Sequence, residues 1–407
     1  MVAVRTALVI GGGIAGPAVA LALRRIGVRA TVYEAHPRPA DGLGGVLTLS
    51  PNGIDALRLL RAEAVIRQIG RPATEIVTLD GRGGRVGAYT LPADLRPVLN
   101  MLRSQLYQAL NDHVRCQGIA IEYGKRLVGA EETAGGVRAL FADGSSAHAE
   151  VLIGADGLHS AVRTLIDPSA PAPVHLPLLE LYGRTDTVVP GGSAAVCIVL
   201  VRRGYLAYWR AAADQVRWYA NLPLPHPMTA GQAAEQPDTH WFQRTREFYA
   251  DEPFPHRLLT ATDPAHTCVV GPSVMMPPLP RWHRGRMVLV GDAAHAPSSS
   301  SGQGASLAME SAVQLARCLR DLPTPAAAFE AYQRLRSPRT EHIAANAVRT
   351  LERRTSLSRR PRLARLAWPL TIRTFAEPRR TLGPIWHHRI DWPSPALAPA
   401  PSTAPLH

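Results

Sequence analysis

The chain opens on a short apolar run, Thr6-Ala-Leu-Val-Ile10, which breaks at Gly11-Gly-Gly-Ile-Ala-Gly16 and passes into a segment where Ala15, Ala18, Val19, Ala22 and Ile26 recur at a helical period. Gly27 stops that helix, and a second apolar run from Ala30 to Tyr33 ends in Glu34. The pattern predicts strand, turn, helix and strand in the first thirty-four residues. The same grammar recurs twice. Val151-Leu-Ile runs into Gly154-Ala-Asp156-Gly157 and a helix beyond Ser160, and Val288-Leu-Val runs into Gly291-Asp292. After the second of these come four serines, Gly302-Gln-Gly304, and a helix with apolar positions Ala308, Ala312, Leu315, Ala316 and Leu319.

Between Val174 and about Pro223 the period falls to two, in Ala194–Val201, Tyr205–Arg210 and Val216–Leu222, with breaks at Arg203-Gly204 and Asp214-Gln215 that predict hairpins. Alternation sets Tyr205 and Trp209 on one face and Leu206, Tyr208 and Arg210 on the other. The expected fold is therefore α/β: a Rossmann-type dinucleotide-binding domain with an inserted antiparallel β-sheet substrate domain and a C-terminal helix and tail. The dinucleotide-binding parts span 1–72, 101–173 and 269–345, and the inserted parts span 73–100 and 174–268. A C-terminal helical region covers 346–392, with Trp386–Trp392 expected to fold back on the body. The proline-rich 393–407 is expected to lack regular structure.

The turns carry candidate chemistry. Gly11 permits a tight turn, Gly13 lets backbone approach a pyrophosphate, and Gly16 lets helix pack on strand, while Ile14 and Ala15 open the helix whose N–H groups face the phosphates. Glu34 can accept from a ribose diol. That motif alone does not separate NAD from FAD. The later segment selects FAD: Asp292 can accept from a ribityl hydroxyl, and Gly302, Gly304 and Ala305 bring backbone and a helix N-terminus close to a flat ring that turns anionic when reduced. His295 is read as structural or cofactor-orienting. No residue stands out as a catalytic base.

Composition narrows the partners. The formal charge of +13 is nearly all arginine, Lys125 being the only lysine, and the run from Arg349 to Arg365 has no interleaved aromatics, so no nucleic-acid partner is expected. Cys116, Cys197, Cys268 and Cys318 have neither CxxC nor metal spacing, and free thiols in a reducing cytoplasm are expected, with no metal. No apolar stretch approaches the ~18 residues of a membrane span, and the N-terminus has no signal-like pattern.

With GGGIAG, Asp156-Gly157 followed by Ser160 and Arg163, Gly291-Asp292 with Gly302-Gln-Gly304, and Arg103 within Leu102–Leu106, the chain from Val4 to Leu319 resembles the class A flavoprotein monooxygenases. That is the family of para-hydroxybenzoate hydroxylase and the tetracycline-inactivating flavin enzymes. The resemblance implies that Arg103 contacts the FAD phosphate or ribityl chain, that Asp156 lies on the path of flavin and nicotinamide recognition, and that Gly44, Gly45 and Val46 border the ring. It also implies non-covalent FAD, NADPH or NADH as transient co-substrate, and dioxygen added at flavin C4a as a hydroperoxide that transfers one atom to a bulky apolar or aromatic small molecule. Two departures stand out: Ser299 replaces a proline of the family and Ser311 an acid. They motivate one alternative, a flavin-dependent reductase or dehydrogenase on the same scaffold; a second, from a different class, is a flavin-binding redox sensor without turnover.

Overall fold

A computed structural model describes residues 4–39, 44–201, 204–358 and 378–397. The arginine run beyond residue 358 and the tail beyond residue 397 lie outside the described residues.

Alternating apolar patterns give way to continuous ones in the first sheet because both of its faces are covered. Val9, Leu152, Ile153, Val288 and Leu289 have no accessible surface. The sheet has six strands in the order His283–Arg284, Met287–Leu289, Val151–Gly154, Thr6–Ile10, Arg29–Tyr33 and Ala120–Glu122. All neighbours run parallel except the first pair. Ile10 pairs with Gly154 and Tyr33, and Gly154 with Leu289. Three strands that are distant in sequence thus end at one level on one edge, and the turns after Ile10, Gly154 and Leu289 emerge side by side.

The second large sheet has seven strands, in the order Thr267–Met275, Val174–Thr185, Val216–Pro223, Tyr205–Arg210, Ala195–Leu200, Glu75–Asp80 and Arg85–Thr90. It is antiparallel but for Ala195–Leu200 on Glu75–Asp80, a parallel pair that an entirely antiparallel reading does not foresee. A parallel pair needs a long crossover, and here more than a hundred residues of chain lie between the two strands. Leu179, Leu181, Leu206, Tyr208, Trp218 and Ala220 line one face and pack on Trp241, Phe242, Phe254 and Leu258. Those four side chains belong to the helices Asp238–Phe248 and Pro253–Thr260, which the sequence reading left inside the sheet domain without assignment. The other face, with Glu180, Tyr182, Tyr205, Ala207, Trp209, Arg217 and Tyr219, is turned away from these helices.

The helix Gly304–Asp321 runs through the core, and thirteen of its eighteen residues are buried. Glu310 is 1% exposed, and it accepts from Arg336 (2.8 Å), Arg339 (2.9 Å) and Asn52 (2.7 Å). Burial alone would raise the Glu310 pKa, but the two guanidiniums outweigh it and hold the carboxyl at about 2. Asn52 also reaches Gln303, and Gln303 donates to Ser50. One carboxylate therefore ties the long helix Pro325–Ser358 to the residues that open Gly304–Asp321. Trp386 is buried beside Tyr89, and Trp392 is sandwiched between the guanidiniums of Arg25 and Arg320. Beyond it, Trp392–Leu397 form no helix or strand, yet Arg317 and Arg320 bond the carbonyls of Ser394, Pro395 and Trp392, and Asp321 accepts from Ala396 N. No described helix is long and apolar enough to cross a membrane.

Glu310→Gln would leave Arg336, 2% exposed, without its charge partner. The expected cost is about 3–5 kcal/mol of folding stability, measured by urea unfolding, because an unpaired buried charge loses hydration without compensation. A loss under about 1 kcal/mol would show that the cluster is wetter than its geometry indicates.

Candidate functional site

The first turn is shaped by close approach. Gly11 has φ +105°, where L side chains are strained, and a Cβ there would strike the carbonyl of Ala155. A Cβ on Gly16 would strike Gly11 O, whereas one on Gly13 would meet nothing within 4 Å. Glu34 Oε2 accepts from Gly12 N at 2.6 Å and Oε1 from His36 N at 2.8 Å, so the acid also holds the turn shut. Asn111, which the sequence reading missed, donates to Gly12 O from the helix Arg103–Cys116. Ile14 is the N-cap of helix Ala15–Arg25, with no side-chain cap and no acid in the first turn. With no side-chain cap and with open space at Gly13 just before it, this N-terminus is a ready anion site.

The second turn is structural in its side chains. The Asp156 carboxylate, expected on the cofactor path, is committed to its own helix, accepting from Ser160 Oγ (2.5 Å) and Val162 N (3.1 Å). Burial raises its pKa and these bonds oppose the rise. Arg163 donates to Leu158 O and Ala293 O, and so staples the second turn to the third.

In the third turn Gly291 has φ +68°, and a Cβ on it would press on that of Ala15 at 2.7 Å, which places the first and third turns in contact. Protein encloses Asp292 although water still reaches part of it, and its carboxylate has no hydrogen-bond partner among the described residues. Burial raises its pKa, and the nearby Arg103 charge opposes the rise. Arg103 is exposed, lies along Gly44, and bonds through its amide to Gly45 O (2.9 Å). A Cβ on Gly45 would strike Val270 at 2.7 Å and Tyr182 at 3.2 Å, so Gly45 and Val46 border the seven-stranded sheet. Gly302 has φ +61° with open space in front of it, and the nearest atom to a Cβ on Gly304 is Asp292 Oδ1 at 4.0 Å. The helix Gly304–Asp321, with the partly buried Ala305 in its first turn, again lacks a side-chain cap and an early acid.

His295 lies behind this edge rather than on it. Its Nε2 meets Ser311 Oγ at 2.8 Å, its ring packs on Trp282, and Arg336 also bonds Ser311. Burial, aided by Arg336, lowers its pKa to about 3, so the ring is neutral near pH 7. Ser311 thus joins His295 and Arg336 through a hydroxyl. Ser299 is likewise engaged: it donates to Glu180 on strand Val174–Thr185 and pairs with Ser273 at 3.3 Å. Sequence reading gave no hint of Glu180, which lies 119 positions from Ser299.

Two uncapped helix N-termini, open space at Gly13 and Gly302, and an enclosed carboxylate without a partner between them fit a long dinucleotide. The diphosphate would take the first N-terminus, Asp292 a ribityl hydroxyl, and the Gly304 N-terminus the ring edge that carries charge on reduction. Gly13→Val is expected to fold normally yet lose FAD affinity by roughly 100-fold, the scale of one or two charge-assisted hydrogen bonds. Gly16→Val should fail to fold, because its side chain meets backbone. Thermal melts with flavin titration check both. Unchanged affinity in a folded Gly13→Val protein would move the diphosphate elsewhere.

Comparison with known proteins identifies the family. A family model described as FAD binding domain matches residues 4–347. An FAD-dependent urate hydroxylase of Klebsiella pneumoniae is 29% identical over 353 residues, covering 83% of this chain and 87% of the relative. A 3-amino-4-hydroxybenzoate 2-monooxygenase of Streptomyces cremeus is 30% identical, covering 84% and 86%. A Klebsiella pneumoniae structure complexed with FAD and uric acid is similar with a TM-score of 0.79 at 26% identity, covering 93% of this chain and 95% of that one. A tetracycline destructase shares the fold, with a TM-score of 0.61 at 19% identity. With that match across most of its length, the chain belongs to the FAD binding domain family of class A flavoprotein monooxygenases, and FAD is its cofactor.

Proposed function

We propose that the protein is an NAD(P)H-dependent monooxygenase that places one atom of dioxygen on a flat, aromatic or heteroaromatic small molecule, with FAD held non-covalently. The observation that carries the reading is the juxtaposition at Gly45. There the edge of the flavin site meets Tyr182 and Val270 of a sheet whose face opposite the helices also carries the partly buried Tyr205 and Tyr219 and the buried Trp209. A ring lying between that face and the flavin edge is walled by aromatics that pack flat molecules well. The named activities of the relatives, on urate and on an aminohydroxybenzoate, are of this substrate type.

Bound FAD would supply the reducing and oxygen-activating centre. The chain's own part is to bind, orient and exclude water. The Gly304 N-terminus, with no acid in its first turn, favours negative charge on the ring edge beside it. Arg103, close enough to Asp292 to favour its ionised form, adds positive charge to the same cleft. The four-serine loop is tied to the sheet through Ser299–Glu180, Ser299–Ser273 and Ser298–Ser273. Those bonds replace the stiffness that a proline would give and keep the loop closed over the site, which favours oxygenation over simple reduction in a wet cleft.

Turnover of ring substrates with NADPH or NADH under isotopically labelled dioxygen tests the reading. One labelled oxygen per product molecule, with nicotinamide oxidation accelerated by the substrate, is the expected result. Product that has gained hydrogen without label would replace this reading with the reductase.

A further inference from the structure

Gln303 carries the only side chain in the turn Gly302-Gln303-Gly304, the turn that the flavin ring edge would face. Gly302 has φ +61° and Gly304 opens the helix Gly304–Asp321, so a glycine on either side leaves this backbone with little stiffness of its own. Gln303 is nevertheless 2% exposed, while Gly302 is exposed and Gly304 partly so. Its side chain therefore points away from the cleft and into protein, and both ends of its amide are engaged there. Oε1 accepts from Asn52 Nδ2 at 3.1 Å, and Nε2 donates to Ser50 Oγ at 2.9 Å.

Both partners come from one place, the start of the helix Pro51–Leu59. Asn52 is itself held. Its Nδ2 also donates to Glu310 at 2.7 Å, and a carboxylate kept ionised by Arg336 and Arg339 can only accept, so the amide nitrogen and not the oxygen must face it. With that orientation set, the second Nδ2 hydrogen goes to Gln303. The two helices meet closely: a Cβ on Gly53 would strike Ser306 Oγ at 2.5 Å, and Ser50 N donates to the same hydroxyl at 3.3 Å. A run of hydrogen bonds thus leads from an ionised, fully buried carboxylate to the one side chain that can stiffen a two-glycine turn.

We propose that Asn52 is a positioning residue for the flavin: acting through Gln303, it holds the peptide groups of Gly302–Gly304 aimed at the ring edge and so raises the flavin's reduction potential. The inference rests on the ring lying at the Gly304 N-terminus, and it is independent of what the reduced flavin then does with dioxygen. The physical reason is preorganisation. Peptide dipoles fixed in advance stabilise the negative charge that reduction brings, whereas dipoles that must first turn lose part of that effect. A purely structural role accounts for a buried amide pair between two helices, but it gives no reason for the pair to end on a glutamine set between two glycines beside the cleft.

The test measures the midpoint potential of FAD-loaded protein during slow anaerobic reduction with a reference dye, alongside thermal melts and the dissociation constant of oxidised FAD. Asn52→Leu is expected to lose about ten-fold of the preference for reduced over oxidised flavin, which lowers the two-electron potential by about 30 mV. Oxidised FAD should stay bound, with its affinity changed by less than about three-fold. Gln303→Met, similar in length but without the hydrogen bonds, should give the same shift and carries the test if Asn52→Leu fails to fold. The double variant should shift no further than either single one, because both break one linkage. Val137→Ala, which opens a cavity in the remote strand Gly136–Phe141, should lower the melting temperature and leave the potential where it was. A preference changed by less than about two-fold in the folded variants, outright loss of oxidised FAD from them, or an equal shift in Val137→Ala would overturn the inference and leave the pair as a support of the fold only.

Discussion

Everything at the site depends on a register. Ile10, Gly154 and Leu289 end three neighbouring parallel strands at one level, and a glycine follows each within three residues, at Gly11, Gly157 and Gly291. Bulk is excluded there by backbone: Gly11 against Ala155, Gly16 against Gly11, Gly291 against Ala15. The turns can approach so closely only because these positions lack a Cβ, and that closeness delivers two helix N-termini to the same edge with their leading N–H groups uncapped. A site assembled in this way recognises charge and shape through backbone. It needs few chemical side chains, in keeping with a cofactor that carries the reactive centre.

Side-chain polarity serves chiefly to hold that edge in place. Arg163 fastens the second turn to the third, Asn111 fastens the first turn to the helix beneath, and Glu310 gathers Asn52, Arg336 and Arg339 behind the helix that begins at Gly304. Each of these contacts joins segments far apart in the sequence. Asp292 is set apart by its place: its carboxylate lies beside the Gly304 N-terminus with no hydrogen-bond partner among the described residues.

The strand–turn–helix units were legible in the sequence because each turn is local: glycines, acid and helix period lie within some thirty residues of one another. The sheet was legible from alternation, and Tyr205 and Trp209 do share the face opposite Leu206 and Tyr208. What could not be read depends on distant pairing. The Ser299–Glu180 bond, the Asn52–Gln303 bond and the parallel pair between Glu75–Asp80 and Ala195–Leu200 join segments whose proximity no local pattern encodes. Asp156 shows the opposite limit. Its motif was plain, yet its carboxylate turns into its own helix, a choice made by the nearness of Ser160 and the amide of Val162. Ser299 and Ser311 looked like losses in the sequence, but in the fold each holds a specific hydrogen bond.

One dinucleotide would run from the uncapped N-terminus at Ala15, past Asp292, to the uncapped N-terminus at Gly304. A crystal structure of the FAD-loaded protein tests it most directly. The account predicts the diphosphate against the amides that follow Gly13, a ribityl hydroxyl on the Asp292 carboxylate, and the ring edge at Gly302–Gly304 with its far side toward Tyr182. A flavin bound with Asp292 left unpaired, or with its ring away from the Gly304 helix, would contradict it.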